Sequence, residues 1–279
     1  MAAVQQVTLS NGVEIPQVGL GVWEVPADQV QQNVETALEL GYRHIDTAAA
    51  YGNEEGVGAA LRATGLNRKD IFITTKLRNG DQGYDQAFVA FDDSLKHLGL
   101  DYVDLYLIHW PSPKRNLYVQ SWAALEKIYE DGGARAIGVA NFLPEYLNVL
   151  LDGSDIAPVI NQFELHPTFQ QAEVERVSKN EGLAVEAYSP LGRGVDLKEP
   201  EVLDVASRYD ATPAQVVLAW HMAHGRIVIP KSVNRARMEE NINSVDVHLS
   251  GDDVALIDSL ERGNLQVFDP REAEFSQIR

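Results

Sequence analysis

Asp46, Tyr51, Lys76 and His109 are the residues whose types and spacing could do chemistry together. Three of them close short apolar runs: Asp46 ends HID (44 to 46), Lys76 ends IFITTK (71 to 76) and His109 ends VDLYLIH (103 to 109). Tyr51 follows Asp46 in DTAAAYGNEEG. Taken singly, each has a plain account as a helix cap, a rim aromatic, a solvated strand end or a satisfied histidine. Taken together they point to a site, because closing three successive buried strands with three different ionisable groups is costly for a merely structural mouth. A tyrosine hydroxyl titrates at roughly 10, and an adjacent ammonium lowers that value by stabilising the phenolate. Lys76 can supply the ammonium, Asp46 can hold it, and His109 can hydrogen-bond the oxygen of a bound carbonyl. The set describes an acid that protonates a carbonyl oxygen as it becomes an alkoxide, which requires a hydride donor as well.

A second dense motif is IPKSVNRARMEEN (229 to 241). Lys231, Ser232, Arg235 and Arg237 gather cationic and hydroxyl donors at the start of a helix, where the macrodipole favours anions. The competing account is a solvated basic turn paired with Glu239 and Glu240. His221 and His224 in HMAHG lack a third ligand, so no metal site is expected there, and a helix C-terminus accounts for both. Trp23 and Trp110 each lie just past a strand end and are expected to wall a substrate pocket.

The elements that must position these residues alternate regularly. VTLSNGVEIP reads as a small hairpin around Asn11-Gly12. Strands are then expected at 18–21, 44–46, 71–76, 103–109, 136–141, 160–163, 184–188 and 227–230. Helices are expected near 28–40, 53–64, 84–98, 117–131, 144–152, 171–181, 200–209 with 213–224, and 235–244. Eight strand-helix units without an intervening linker predict an α/β fold, a single (β/α)8 TIM barrel over 1–279 with an N-terminal β-hairpin, a further helix near 251–262 and a polar tail. The strand ends of such a barrel converge on one face, which bears its chemistry, and phosphate is often held after the last two strands. GLGVWE (19 to 24) and GVGAAL (56 to 61) both lack the third glycine of the dinucleotide fingerprint, so a dinucleotide would be bound another way.

The net charge of −18 sets a mean field that repels phosphate, so neither nucleic acid nor an acidic membrane is expected as a partner. It also makes the 231–237 cluster worth explaining. Zero cysteines exclude disulfides and thiolate chemistry and fit a cytoplasmic protein. No apolar run approaches the roughly 18 residues of a membrane span, and MAAVQQVTLS lacks the pattern of a secretory signal.

GYRHIDTAAAYGNEEGVGAAL (41 to 61), LDYVDLYLIHWP (100 to 111), INQFELHP (160 to 167), TPAQVVLAWH (212 to 221) and the 229–241 motif resemble the aldo-keto reductases, most closely the bacterial branch of the diketogluconate reductases. The resemblance runs from about residue 7 to 265. It implies NADPH-dependent reduction of carbonyls by a tetrad of Asp46, Tyr51, Lys76 and His109, with Tyr51 as the general acid. It further implies Asn141 and Gln162 at the carboxamide, Tyr188 stacked on the nicotinamide, and Gly21, Val22 and Trp23 beside it. Leu191 and Gly192 would lie along the pyrophosphate, Lys231, Ser232 and Arg237 at the 2′-phosphate with Val233 beside them, and Glu240 and Asn241 at the adenine. His109 stands where the family's steroid double-bond reductases carry glutamate, which favours a carbonyl substrate.

There are departures. Ala140 replaces a frequent serine, Asn234 replaces a frequent basic residue, and Arg78 replaces a frequent tryptophan. Arg78 is therefore expected at the pocket wall with Trp23, Tyr51, His109 and Trp110, biasing it toward carboxylate or polyhydroxy carbonyls. The family implies a small-molecule carbonyl substrate such as a keto sugar acid, a methylglyoxal-type dicarbonyl or an aromatic aldehyde, and a monomer. Two other readings stay open: a non-catalytic NADPH-sensing module on the same fold, and an unrelated barrel binding sugar phosphate at 231–237. The loops 111–118, 193–199 and 264–279 are expected to set specificity.

Overall fold

The structure is a computed structural model that describes residues 4–272. Eight strands, β3 Leu20–Gly21, β4 His44–Asp46, β5 Phe72–Leu77, β6 Val103–Ile108, β7 Ala134–Ala140, β8 Ile160–Glu164, β9 Ala184–Tyr188 and β10 Ile227–Val228, form one sheet in chain order. Each neighbour pair is parallel. The sheet curls until its edges meet: Val18 bridges Val228 in parallel, Gly19 N donates to Val228 O at 2.8 Å and Val228 N to Gln17 O at 2.9 Å. This is the expected (β/α)8 barrel.

Helices α1 Val30–Glu39, α2 Glu54–Ala63, α3 Tyr84–Leu98, α4 Tyr118–Glu130, α5 Pro144–Asp152, α6 Ala172–Asn180, α7 Pro200–Arg208, α8 Pro213–Ala223 and α9 Arg235–Ile242 follow the strands. They form where apolar residues recur on one face, as in α1, which buries Val30, Val34, Ala37 and Leu38. α8 is buried nearly all round and starts with a capping box, in which Thr212 and Gln215 satisfy each other's backbone N–H. The last helix, α10 Gly251–Asp258, stops short of the expected 262, and Arg262 N instead donates to Thr168 O at 3.3 Å. The expected tail beyond 272 and the first three residues lie outside the described residues.

The strands sort their side chains in two directions. In β6, Leu105 and Leu107 join the barrel interior while Tyr106 and Ile108 pack outward beneath the helices. The hairpin of β1 Gln6–Thr8 and β2 Glu14–Pro16 adds Leu9 and Ile15 to that interior. Thr74 pairs with Leu105, and Lys76 with Leu107, so Lys76 points inward. One more step of the same alternation turns His109 inward just past β6.

Candidate active site

The inward alternation brings the four sequence-predicted residues to one spot. Lys76 is fully buried, and its Nζ donates to Asp46 Oδ1 at 2.5 Å, to Thr47 O at 2.9 Å and to Tyr51 OH at 3.5 Å. All three ammonium protons thus have an acceptor. Tyr51 arrives on a short 3₁₀ turn, Ala49–Tyr51, directly after β4, and its ring meets that of His109 edge-on with centroids 5.6 Å apart. Asp46, Tyr51 and His109 line a cavity of about 70 Å³ together with Gly21, Trp23, Trp110, Asn141, Gln162 and Tyr188.

The electrostatics depart from the sequence expectation at Tyr51. Burial, then Asp46 and Glu186, push its hydroxyl well above 10 instead of down. The Lys76 charge is engaged by the Asp46 carboxylate, leaving a firmly protonated phenol beside it. His109 is held well below its usual value by burial and then by Lys76, so it stands as a neutral imidazole at pH 7. Its Nδ1 is buried without a hydrogen-bond partner among the described residues.

Beneath the cavity lies a layer that sequence reasoning did not find. Gln162 Nε2 donates to Asp46 Oδ2 at 2.9 Å and to Glu186 Oε2 at 2.8 Å. Burial, and then the Asp46 charge, push the Glu186 carboxyl well above the usual carboxylate range. His44 faces Glu186 across 3.5 Å; burial lowers it to about 4. The clue was in the sequence, since an acid in AVEAY and a histidine in RHID break runs that otherwise read as buried strand.

Asn141 takes a left-handed backbone, φ 65, just past β7. Its Nδ2 donates to His109 O at 2.9 Å and its Oδ1 accepts from Tyr188 OH at 2.8 Å, so one strained residue ties two neighbours together. Ser189 (φ 47), Glu24 (φ 57) and Arg193 (φ 52) are strained on the same face of the barrel. Clustering of such outliers is a mark of a functional site.

A larger groove of about 570 Å³ adjoins the cavity, sharing Trp23 and Ser189 with it, and runs between the 189–197 loop and the 230–241 segment. Leu191, Lys231, Ser232, Arg237, Glu240 and Asn241 line it. Among the described residues, neither Lys231 nor Arg237 makes an ion pair, whereas Arg235 turns away to Glu39 at 2.8 Å. Asn234 caps α9 by accepting from Arg237 N. Arg193 reaches from the loop to Glu24 at 3.4 Å and lies over the Trp23 ring at 5.2 Å.

Other expected residues lie elsewhere. Arg78 is absent from the cavity wall: the 3₁₀ turn after it, Asn79–Asp81, brings Asp81 back to take its guanidinium in two hydrogen bonds of 2.7 and 2.9 Å. Val22 is buried in the core, Val233 is exposed, and Gly192 packs on Asp196 instead of lining the groove. His221 donates to Pro190 O at 3.0 Å and His224 binds Asp258 at 2.9 Å, so the two histidines face different partners. Val267 and Phe268 complete the cavity wall. Only the general expectation for the 264–279 loop pointed there.

The arrangement offers a protonated phenol and a neutral imidazole at a pocket floor, next to a long groove lined at its far end by the Lys231 and Arg237 cations. The aldo/keto reductase family model matches residues 16–262. The chain belongs to the aldo/keto reductase family. It is 49% identical to an aldo-keto reductase of Mycobacterium sp. (strain KMS) over 270 residues, covering 97% of this chain and 98% of that protein. It is 45% identical over 257 residues, 92% of each chain, to the glyoxal reductase of Bacillus subtilis (strain 168). Among solved structures it is similar to a mutant of Gox0644 in complex with NADPH, with a TM-score of 0.94, 41% identity, and coverage of 98% of this chain and 100% of that one. Family membership accounts for the barrel.

Proposed function

We propose that this chain reduces aldehydes and ketones to alcohols with NADPH, with Tyr51 as the general acid. NADPH supplies a hydride equivalent when bound. The donor set fits such a molecule at both ends of the groove. Lys231, Ser232 and Arg237 would hold the 2′-phosphate, Glu240 and Asn241 the adenine, and Leu191 the pyrophosphate. Tyr188 and Trp23 offer flat faces at the other end. Gln162 commits its Nε2 to the carboxyl groups of Asp46 and Glu186, which leaves Oε1 to accept from a carboxamide.

The observation that carries the reading is Tyr51: a half-buried tyrosine with an ammonium 3.5 Å from its oxygen and an imidazole ring edge-on to it. Its raised value keeps the proton in place until an acceptor of comparable basicity forms, and an alkoxide is one. His109, neutral, can donate a single N–H to the same oxygen and orient it. Lys76 lies close enough to stabilise the phenolate left after transfer, and Asp46 keeps Lys76 there.

The substrate class we favour is a small carbonyl such as a methylglyoxal-type dicarbonyl, a keto sugar acid or an aromatic aldehyde. The similarity to a glyoxal reductase supports the first of these. Arg78, engaged by Asp81, takes no part. The test is the initial rate of NADPH oxidation with one carbonyl of each kind, alongside Tyr51→Phe. The expected result is a loss of roughly 10²-fold or more in kcat with NADPH binding retained, as befits removal of a general acid. Equal rates in the two proteins, or tight NADPH binding with no turnover in either, would overturn the proposal.

A further inference from the structure

The wall that closes the cavity, Val267 and Phe268, belongs to an irregular segment after α10. Among the described residues, each hydrogen bond tying 264–267 to the barrel ends on Glu164 or Thr168. Gln266 N donates to Glu164 Oε1 at 2.6 Å and Val267 N to Glu164 Oε2 at 2.9 Å. Asn264 reaches Thr168 O through its backbone and Thr168 Oγ1 through its side chain, both at 3.0 Å.

Glu164 is the last residue of β8, only 2% exposed, and it pairs in register with Tyr188 of the cavity wall. Behind it stands His166, whose Nε2 meets Glu164 Oε1 at 3.2 Å and whose Nδ1 meets Asp196 Oδ2 at 2.8 Å. Both carboxylates can only accept, so both ring nitrogens must donate and the ring is an imidazolium. Its charge holds two buried carboxylates that would otherwise repel. Asp196 also accepts from Thr168 N and Oγ1, at 3.2 and 2.8 Å. It backs the loop along the groove: a Cβ built on Gly192 would meet the Asp196 carboxyl at 2.7 Å.

We infer that Glu164 is a positioning residue that latches the substrate wall onto the barrel, and that through His166 and Asp196 the same latch holds the cofactor-side loop. The inference rests on the proposed carbonyl reductase reading for what the cavity and groove bind. The two walls are then one mechanical unit. Loosening the segment at 266–267 weakens carbonyl and cofactor binding together and leaves the proton-donating residues where they are.

The experiment compares the wild type with Glu164→Gln and Phe268→Ala by hydrogen exchange at the Gln266 and Val267 amides, by NADPH titration, and by KM and kcat with an aromatic aldehyde. For Glu164→Gln the expected result is at least tenfold faster exchange at the two amides, a severalfold rise in both KM and the NADPH dissociation constant, and kcat within twofold. Phe268→Ala, which trims the wall but keeps the latch, should raise KM while exchange and NADPH affinity stay as in the wild type. Unchanged exchange in Glu164→Gln overturns the latch. Faster exchange with unchanged KM and NADPH affinity overturns its positioning role. If the wild type turns over no carbonyl, the functional reading fails, and amide exchange with NADPH titration still decides whether the latch exists and reaches the loop.

Discussion

Replacing Lys76 by methionine tests the charge balance on which the site depends. Lys76 is completely buried and uses all three of its protons, on Asp46, Thr47 O and Tyr51. Burial and the Asp46 charge favour the neutral form of the Glu186 carboxyl, so the charge balance of this layer rests on the Lys76–Asp46 pair. Lys76→Met strands a carboxylate that retains one neutral donor, Gln162 Nε2. Breaking a buried pair in this way costs about 3–5 kcal/mol. For a chain of this size that lowers Tm by roughly 10 °C. Adding Asp46→Asn removes the stranded charge, so the double variant should be more stable than Lys76→Met alone, by on the order of 2 kcal/mol or more. Protonation would relieve the charge that the single variant strands without its ammonium. That variant's deficit should therefore shrink as pH falls from 8 toward 5. Urea unfolding of the wild type, both single variants and the double variant at these pH values gives the coupling. A double variant no more stable than Lys76→Met would refute the reasoning.

Two further outcomes concern the frame. Gly58→Ala in α2 should destabilise by about 1–3 kcal/mol although alanine ordinarily favours a helix interior, because the added Cβ would clash with the backbone carbonyl of Leu98, its C at 2.6 Å; thermal unfolding decides the sign. His166, although burial opposes it, is raised to about 9 by its hydrogen bonds to Asp196 and Glu164, so its contribution is full below about 6.5 and is lost as pH rises through 9; unfolding free energies at pH 7 and 9.5 should differ more in the wild type than in His166→Asn, by up to about 3 kcal/mol.

The features legible in the sequence were those that depend on period. Strands buried on both faces read as unbroken apolar runs, and in a parallel barrel their last residues must share one mouth. That logic alone brought Asp46, Lys76 and His109 together, and a five-residue step from Asp46 added Tyr51. What stayed hidden depends on where a side chain's partner comes from. Arg78 occupies the right place in the chain to reach the cavity, but a tight turn returns Asp81 to it, and an ion pair three residues away wins over a distant pocket. Glu164 and Gln266 are 102 residues apart, and no local pattern announces that the backbone of an irregular segment will satisfy that carboxylate.

The Tyr51 hydroxyl shows the same division at the level of electrostatics. Its neighbours were foreseen, yet the direction of its shift was not, because the direction depends on how far the Lys76 charge is already committed to Asp46. A lysine shared with a carboxylate at 2.5 Å presents a nearly neutral pair to a phenol 3.5 Å away, and burial then dominates. That state suits reduction, where a proton must be kept until an alkoxide asks for it. The reverse reaction needs the phenolate, so alcohol oxidation should become competitive only at a pH high enough to remove the Tyr51 proton, and a pH profile of the two directions on one carbonyl–alcohol pair should separate accordingly.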